Sequence, residues 1–134
     1  MSVVDASLFV AAVSQDESHH DQAVAWLNHA LEKTATIDVP AIVLSEVSAA
    51  ISRGQDDNVL AQRALNLLLQ TDLIQIFPVS EELAKRAAEI GIKQRIRGCD
   101  AVYVALAEKL GTELVSLDRQ QLARGTAVVP THQP

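Results

Sequence analysis

The sequence is poor in the residues from which cysteine-based or aromatic sites are built. Among its 134 residues there is one cysteine, Cys99, which excludes an internal disulfide framework and a multi-cysteine metal site. The aromatic residues are only Phe9, Trp26, Phe77 and Tyr103. They are too few for a platform on which the bases of single-stranded nucleic acid could stack.

Basic charge and long apolar runs are also scarce. Lys and Arg number 11 against 17 Asp and Glu, and the formal net charge of −6 argues against nucleic-acid binding by bulk attraction. No apolar run approaches the roughly 20 residues of a membrane helix. No basic leader precedes the apolar run Ala6–Val13, so no signal peptide is expected. We therefore expect a cytoplasmic protein without membrane contact, folded as one domain over residues 1–134.

Short apolar runs alternate with segments of helical periodicity. Strands are predicted at Ser2–Val4, Thr36–Val39, Leu73–Val79, Thr112–Leu117 and Ala127–Val129. Five helices are predicted with both ends: Ser7–Val13, Ala41–Arg53 ended by Gly54, Ser80–Ile96 ended by Gly98, Cys99–Leu110 ended by Gly111, and Arg119–Arg124. Two more are predicted from their starts, one after a cap at Asp16–Ser18 and one after Asp56–Asp57. This alternation predicts an α/β fold, with a mainly parallel sheet covered on both faces.

Four carboxylates stand out by their context. Asp5 directly follows the first strand and Asp118 the fourth, so the two face each other if those strands are neighbours. Glu46 and Asp100 lie in otherwise apolar helices, where a charge is costly unless it is paired or bound to a metal. Taken singly, each has an ordinary alternative as a helix cap, turn residue or exposed side chain. Asp38, in an equally apolar segment, shows that context alone does not select these four.

A cluster of these acids needs a cation. Like charges ~4 Å apart repel by about 4 kcal/mol per pair at an effective dielectric near 20. Without a cation the carboxylates would take up protons or move apart. Oxygen ligands without His or Cys favour Mg²⁺ or Mn²⁺ over zinc, and such an ion can support hydrolysis of a phosphodiester.

Three stretches carry a resemblance to a known family: VVDAS (Val3–Ser7), LSEVSAAI (Leu44–Ile51) and IRGCDAVYVALAEKLGTELVSLD (Ile96–Asp118). Nearly end to end, the chain resembles PIN-domain ribonucleases of the VapC type, the toxin half of a toxin–antitoxin pair. The resemblance implies a three-layer α/β/α fold with a five-stranded parallel sheet in the order 3-2-1-4-5. In that order the first and fourth strands are neighbours.

The resemblance also implies a site. The family's catalytic and metal-binding acidic quartet matches Asp5, Glu46, Asp100 and Asp118. Ser116, two residues before the last acid, stands where the family usually has Thr, and Ser7 matches as a second supporting hydroxyl. A metal-dependent RNA endonuclease using Mg²⁺ or Mn²⁺ is therefore expected. The alternative is a PIN-fold module that binds proteins or acts as a scaffold, with little or no nuclease activity.

The implied partners are an RNA substrate, a small antitoxin and a second copy of the chain. The basic stretch Lys85–Arg97 is either a solvated helix face or an edge that contacts RNA phosphates, chiefly through Arg95 and Arg97. Apolar faces around Val43 and Val47, next to Ile42, and around Leu60, Ala64 and Leu67 are either contact surfaces or core. Cys99 is expected in the core and His132 in a mobile tail.

Overall fold

The computed structural model describes residues 1–134 and contains five strands and seven helices. In chain order they are β1 (Ser2–Val4), α1 (Ala6–Val13), α2 (His20–Glu32), β2 (Ile37–Pro40), α3 (Val43–Gln55), α4 (Asn58–Gln70), β3 (Ile74–Phe77), α5 (Glu81–Gln94), α6 (Gly98–Leu110), β4 (Glu113–Val115), α7 (Arg119–Arg124) and β5 (Thr131–His132). A single 3₁₀ turn, Gly125–Ala127, follows α7.

All strand pairs are parallel, and the sheet has the order β3-β2-β1-β4-β5. The predicted α/β/α fold and strand order are therefore confirmed. The central strand β1 pairs with β4 so that Val4 lies opposite Val115. Because parallel strands end at the same edge, the residues that follow, Asp5 and Ser116, emerge side by side.

One cluster of 29 buried apolar residues lies between the sheet and the helices. Of the two apolar faces indicated by the sequence, the one around Val43 and Val47 is core, since both side chains are fully buried. The face on α4 is divided, because Ala64 is buried whereas the side chain of Leu67 is 58% exposed. None of the helices has the length and apolarity that crossing a membrane requires.

Several helix starts follow the sequence signals. The Asp57 side chain accepts from Leu60 N at 2.9 Å and caps α4, and Ser80 Oγ accepts from Leu83 N at 3.1 Å and caps α5. The predicted second helix is present as α2, but its predicted cap was wrong. Asp16–Ser18 lies in turns, and α2 begins at His20 without a side-chain cap. Backbone bonds already close this turn, with His20 N donating to the carbonyl of Glu17 at 3.1 Å.

Two predicted helix ends were also wrong. Gly54 lies within α3, which continues to Gln55 and ends where Asp56 adopts φ 49°. Similarly, Gly98 is the first residue of α6, and Arg95, with φ 57°, ends α5. The left-handed cap conformation favours glycine but does not require it, so a charged residue can take the position at some cost. Only Gly111, with φ 65°, ends its helix as predicted.

The fifth strand was predicted too early in the chain. The stretch predicted as a strand, Ala127–Val129, begins in the 3₁₀ turn, and the strand is Thr131–His132. The ladder starts where Leu114 N donates to the carbonyl of Pro130 at 2.8 Å. Proline lacks an N–H but its carbonyl can still accept, so pairing begins at this residue. Strand β1 has the predicted bounds, and the other three predicted strands are shifted or shortened by one or two residues at their ends.

His132 and Cys99 differ from their predicted environments. His132 belongs to β5 rather than to a mobile tail, and its Nε2 lies 2.7 Å from a carboxylate oxygen of Glu113. Cys99 is exposed rather than buried. The buried side of α6 passes through Asp100 and Ala101, which leaves the second helical position to solvent.

Gly54 and Gly111 lie in different backbone conformations, so substitution by alanine should have opposite effects on stability at the two positions. Gly54→Ala should stabilise the protein by about 1 kcal/mol, because alanine is the better helix former and the added Cβ meets nothing within 4 Å. Gly111→Ala should destabilise it by about 1 kcal/mol through its left-handed backbone. Urea unfolding of both variants tests the helix ends. A loss of stability in Gly54→Ala would place the end of α3 at Gly54.

Candidate active site

The four predicted acids line one open cleft of about 750 Å³. Asp5 follows β1 and caps α1, while Asp118 follows β4 and caps α7 by accepting from Gln121 N at 3.0 Å. Glu46 comes from the first turn of α3 and Asp100 from the first turn of α6. The cap role expected for a single Asp is thus real for two of these residues, and it coexists with their place in the cleft.

Asp5 is a buried carboxylate held at both oxygens. Its Oδ2 accepts from Ser116 Oγ at 2.6 Å, and its Oδ1 accepts from Ser7 N at 3.1 Å and also from Ser7 Oγ. The side chain is almost inaccessible to solvent. Burial raises the pKa of Asp5 from 3.8 to about 6, although the hydrogen bonds from the two serines act to lower it.

The two supporting serines connect the end of β1 to the loop after β4. Ser116 Oγ accepts from Asp118 N at 2.9 Å while donating to Asp5. Ser7 Oγ accepts from Leu117 N at 3.0 Å while donating to the same carboxylate. Each hydroxyl therefore fixes the position of Asp118 relative to Asp5. Ser116 is fully buried and does not line the cleft, so its contacts are with the protein.

Glu46 is held by a residue that the sequence reasoning did not place in the site. Tyr103 Oη donates to Glu46 Oε1 at 2.6 Å, and the tyrosine side chain is buried. Burial raises the pKa of Glu46, and the bond from Tyr103 opposes that rise. The signal was available in the sequence, because Tyr103 follows Asp100 by three residues and so shares its helix face.

Asp100 and Asp118 are bridged by a cation of the chain itself. Arg97 Nε lies 2.9 Å from Asp100 Oδ2, and Arg97 Nη2 lies 3.3 Å from Asp118 Oδ2. The hydrogen bond to Asp100 is the main reason that the pKa of Arg97 is raised, so the guanidinium is charged at any working pH. The Arg97 side chain nevertheless remains 70% exposed.

The rest of the predicted basic edge does not reach the cleft. Arg95 is exposed and does not line it. Lys85 pairs with Glu81 at 3.1 Å, and Arg86 pairs with Glu108 at 2.6 Å, as expected for a solvated helix face. Arg97 is thus the only member of that stretch in the cleft.

A second arginine, Arg53, lines the cleft instead, together with His19. The sequence reasoning did not place either residue in the site. Arg53 follows Glu46 by seven residues along α3, which is two helical turns and the same face. Helical spacing from Glu46 could therefore have found it.

The donor set fits a hard divalent cation. No three Asp, Glu, His or Cys side chains stand close enough to form a ready-made ligand group. Mg²⁺ characteristically binds one or two carboxylates and retains several waters, so it does not need a closed protein cage. The all-oxygen set of Asp5, Glu46, Asp100 and Asp118 suits that mode. Asp38 is also buried, with one oxygen lacking a partner, but it does not line the cleft.

Comparison with known proteins points to one family. A sequence model of the PIN domain matches residues 2–126 of the chain. The chain is also 32% identical over 132 residues to ribonuclease VapC3 of Pyrobaculum aerophilum, and the alignment covers 95% of this chain and 96% of that protein.

Solved structures show the same fold. VapC20 of Mycobacterium tuberculosis, described as a toxin that cleaves the sarcin–ricin loop, superposes with a TM-score of 0.82 at 20% identity, covering 100% of both chains. VapBC2 of Rickettsia felis, solved with a DNA fragment from the promoter, gives a TM-score of 0.70 at 16% identity, covering 98% of this chain and 97% of that one.

Because Asp5 is buried, replacing its carboxylate by a neutral group should change the stability of the protein by an amount that depends on pH. The folded-state pKa of Asp5 lies above the unfolded value, so ionisation weakens the fold progressively as pH rises from about 4 to about 6. Asp5→Asn loses one acceptor oxygen at every pH, but it also removes the buried charge. In EDTA, its free energy of unfolding relative to the wild type should therefore be higher at pH 7.5 than at pH 4 by about 1–3 kcal/mol. Urea unfolding at both pH values measures it. The exposed control Asp72→Asn should change neither value, and a pH-independent effect of Asp5→Asn would contradict the assignment.

The Tyr103 hydroxyl predicts a specific change at Glu46. Tyr103→Phe removes the hydrogen bond that stabilises the Glu46 carboxylate, so the pKa of Glu46 should rise further. Stability should fall by about 1 kcal/mol. An NMR titration of the side-chain carboxyl carbons in EDTA measures the pKa. The Glu82 signal, from an exposed acid on α5, is the internal control. An unchanged Glu46 titration would show that the hydroxyl does not position this acid.

Proposed function

The chain belongs to the VapC branch of the PIN-domain family, and on that premise we propose that it is a metal-dependent RNA endonuclease. We further propose that it acts as the toxin of a toxin–antitoxin pair, in the cytoplasm, as one nuclease domain over residues 1–134. The observation that carries the proposal is the meeting of four carboxylates in one open cleft at the carboxyl edge of β1 and β4.

The proposed ligands of Mg²⁺ or Mn²⁺ are Asp5, Glu46, Asp100 and Asp118, binding directly or through water. A bound ion of this kind supplies an activated water and offsets the negative charge that develops on the phosphate.

The chain's own contribution is to hold the carboxylates ready for that chemistry. Asp5 is fixed by Ser7 and Ser116, and Glu46 is fixed by Tyr103. Asp118 Oδ1 accepts from Gln121 N in the cap of α7, so Oδ2, which Arg97 also contacts, is the oxygen more available to bind a metal. Groups positioned in this way need no rearrangement during the reaction, and such preorganisation is a large part of catalytic power.

We propose that the RNA backbone is contacted by Arg97 and Arg53, which line the cleft. These side chains present positive charge to phosphates, and phosphate contacts position a strand without reading its sequence. The scarcity of aromatic residues in the cleft, where Tyr103 is committed to Glu46, is consistent with a site that grips the backbone rather than stacking on bases.

For the antitoxin we propose the apolar groove of about 250 Å³ between α1, α2 and α4. Phe9, Val13, Leu27 and Leu68 line it, together with the largely exposed Leu67. An apolar helix laid in such a groove is a recurrent mode of recognition. Support for a protein partner comes from the VapBC structure of Rickettsia felis, whose chain shares this fold. We also propose a homodimer, for which Ile92 on α5, 82% exposed, offers an apolar surface.

The decisive experiment is cleavage of RNA by the purified protein, freed of any antitoxin. Cleavage should require Mn²⁺ or Mg²⁺, stop in EDTA, and fall by at least about 100-fold in Asp100→Asn, which weakens a metal ligand. The same substitution at the exposed Asp72 is the matched control and should retain full activity. Cleavage that survives both EDTA and Asp100→Asn would refute the metal mechanism. An inactive wild-type protein would favour the scaffold alternative.

The toxin assignment is tested in cells with the same logic. Induced expression of the wild-type chain should arrest growth, and Asp100→Asn should relieve the arrest at equal protein level. Arrest by both proteins would show that toxicity does not depend on the cleft.

A further inference from the structure

The acidic cleft contains a positive charge supplied by the chain itself, and this bears on how the site takes up its metal. We propose that Arg97 is an intramolecular counter-cation that competes with the divalent ion for Asp100 and Asp118 and, once displaced, contacts the substrate phosphate. The inference rests on the proposed function, since it concerns the ion of that same site. It goes further by assigning one residue two opposite effects, one on metal and one on RNA.

The contacts of Arg97 fall on carboxylate oxygens that a metal ion would also use. Its guanidinium bonds to Oδ2 of Asp100 at 2.9 Å and to Oδ2 of Asp118 at 3.3 Å. Asp118 Oδ1 already accepts from Gln121 N in the cap of α7, so Oδ2 is the oxygen that can bind a metal without weakening that cap. A cation that binds Asp118 through Oδ2 therefore competes with Arg97 for this oxygen.

The negative charges of the cleft explain why Arg97 is held beside Asp100 and Asp118. The cleft is lined by four carboxylates, and without a cation their mutual repulsion would push them apart. They are Asp5, Glu46, Asp100 and Asp118. Arg97 is the one lining cation that forms an ion pair with these acids, because the other arginine there, Arg53, forms none. Its planar fork suits two carboxylates at once.

The exposure of Arg97 allows its ion pairs with Asp100 and Asp118 to be broken. The side chain of Arg97 is 70% exposed, so it can turn into solvent without leaving a cavity. The buried Asp100 carboxylate then loses its hydrogen-bond partner, and a metal ion bound in the cleft would take that place. Its backbone stays fixed as the residue before α6, three positions from Asp100. A released guanidinium therefore remains at the cleft, where the phosphate of a bound strand is the next available anion.

The test is calorimetric titration of Mn²⁺ into the metal-free, full-length protein. Arg97→Gln should bind Mn²⁺ about fivefold more tightly than the wild type, because only the wild type must first break an exposed ion pair. A factor of this size is expected for two unit charges ~4 Å apart in water-like surroundings. Arg97→Lys, which keeps the charge but can engage only one carboxylate well, should fall between the two. Arg63→Gln removes an equal charge from the exposed face of α4, outside the cleft, and should leave Mn²⁺ affinity unchanged.

Thermal unfolding provides a second measurement. In EDTA the unfolding temperature of Arg97→Gln should lie below that of the wild type, because the cleft acids lose their counter-cation. Saturating Mn²⁺ should close the difference, since both proteins then carry the same ion. A difference that persists in Mn²⁺ would mean that Arg97 has an ordinary structural role and would overturn the proposal.

RNA cleavage at saturating Mn²⁺ completes the test. Arg97→Gln should show a raised KM for RNA despite its tighter metal binding, and Arg63→Gln should show neither change. Equal or weaker Mn²⁺ binding by Arg97→Gln would overturn the inference while leaving the nuclease proposal intact. If the wild type binds Mn²⁺ as expected but cleaves no RNA, the competition stands and the nuclease proposal fails. If the wild type binds no divalent ion, both fail.

Discussion

The mutual repulsion of carboxylates is the constraint around which this structure is arranged. Four acids enter one cleft, and each is held there by a contact specific to it: two serine hydroxyls for Asp5, a tyrosine hydroxyl for Glu46, a guanidinium for Asp100, and a helix terminus for Asp118. The hydroxyl and backbone contacts leave the negative charges in place, and the guanidinium offsets only part of them. All of these contacts fix the positions of the carboxylates, so that repulsion that destabilises the metal-free protein also favours the binding of a cation.

The sheet makes this concentration of charge possible. Because β1 and β4 are adjacent and in register, two loops that are distant in sequence leave the same edge of the sheet. Ser7 and Ser116 then tie each loop to the other, donating to one loop's carboxylate and accepting from the other loop's backbone. The geometry of the cleft is therefore set by two adjacent and largely buried strands, a part of the fold that resists local opening.

Sequence reasoning reached the features that depend on local pattern. The α/β alternation indicated a parallel sheet, and the resemblance added the strand order and the four acids that the cleft brings together. It failed where tertiary contacts decide the outcome. A two-residue strand such as β5 has almost no pattern of its own and is fixed by its pairing with β4. Helix α3 runs through Gly54 because the left-handed turn falls at Asp56. Tyr103 and Arg53 are visible only when helical spacing is counted from an acid already known to matter.

Two of the four acids also cap helices, and this affects which substitution should be used to make an inactive form of the protein for genetics or crystallisation. Asp5 and Asp118 hold the starts of α1 and α7, and truncation of either to alanine would uncap a helix at a typical cost of about 1 kcal/mol. Loss of effect in such a variant would confuse a damaged fold with a missing function. Asparagine keeps a capping oxygen at both positions. Glu46 and Asp100 cap no helix, but their truncation would leave the buried Tyr103 hydroxyl or the Arg97 guanidinium without its partner, so glutamine and asparagine are the matched replacements there.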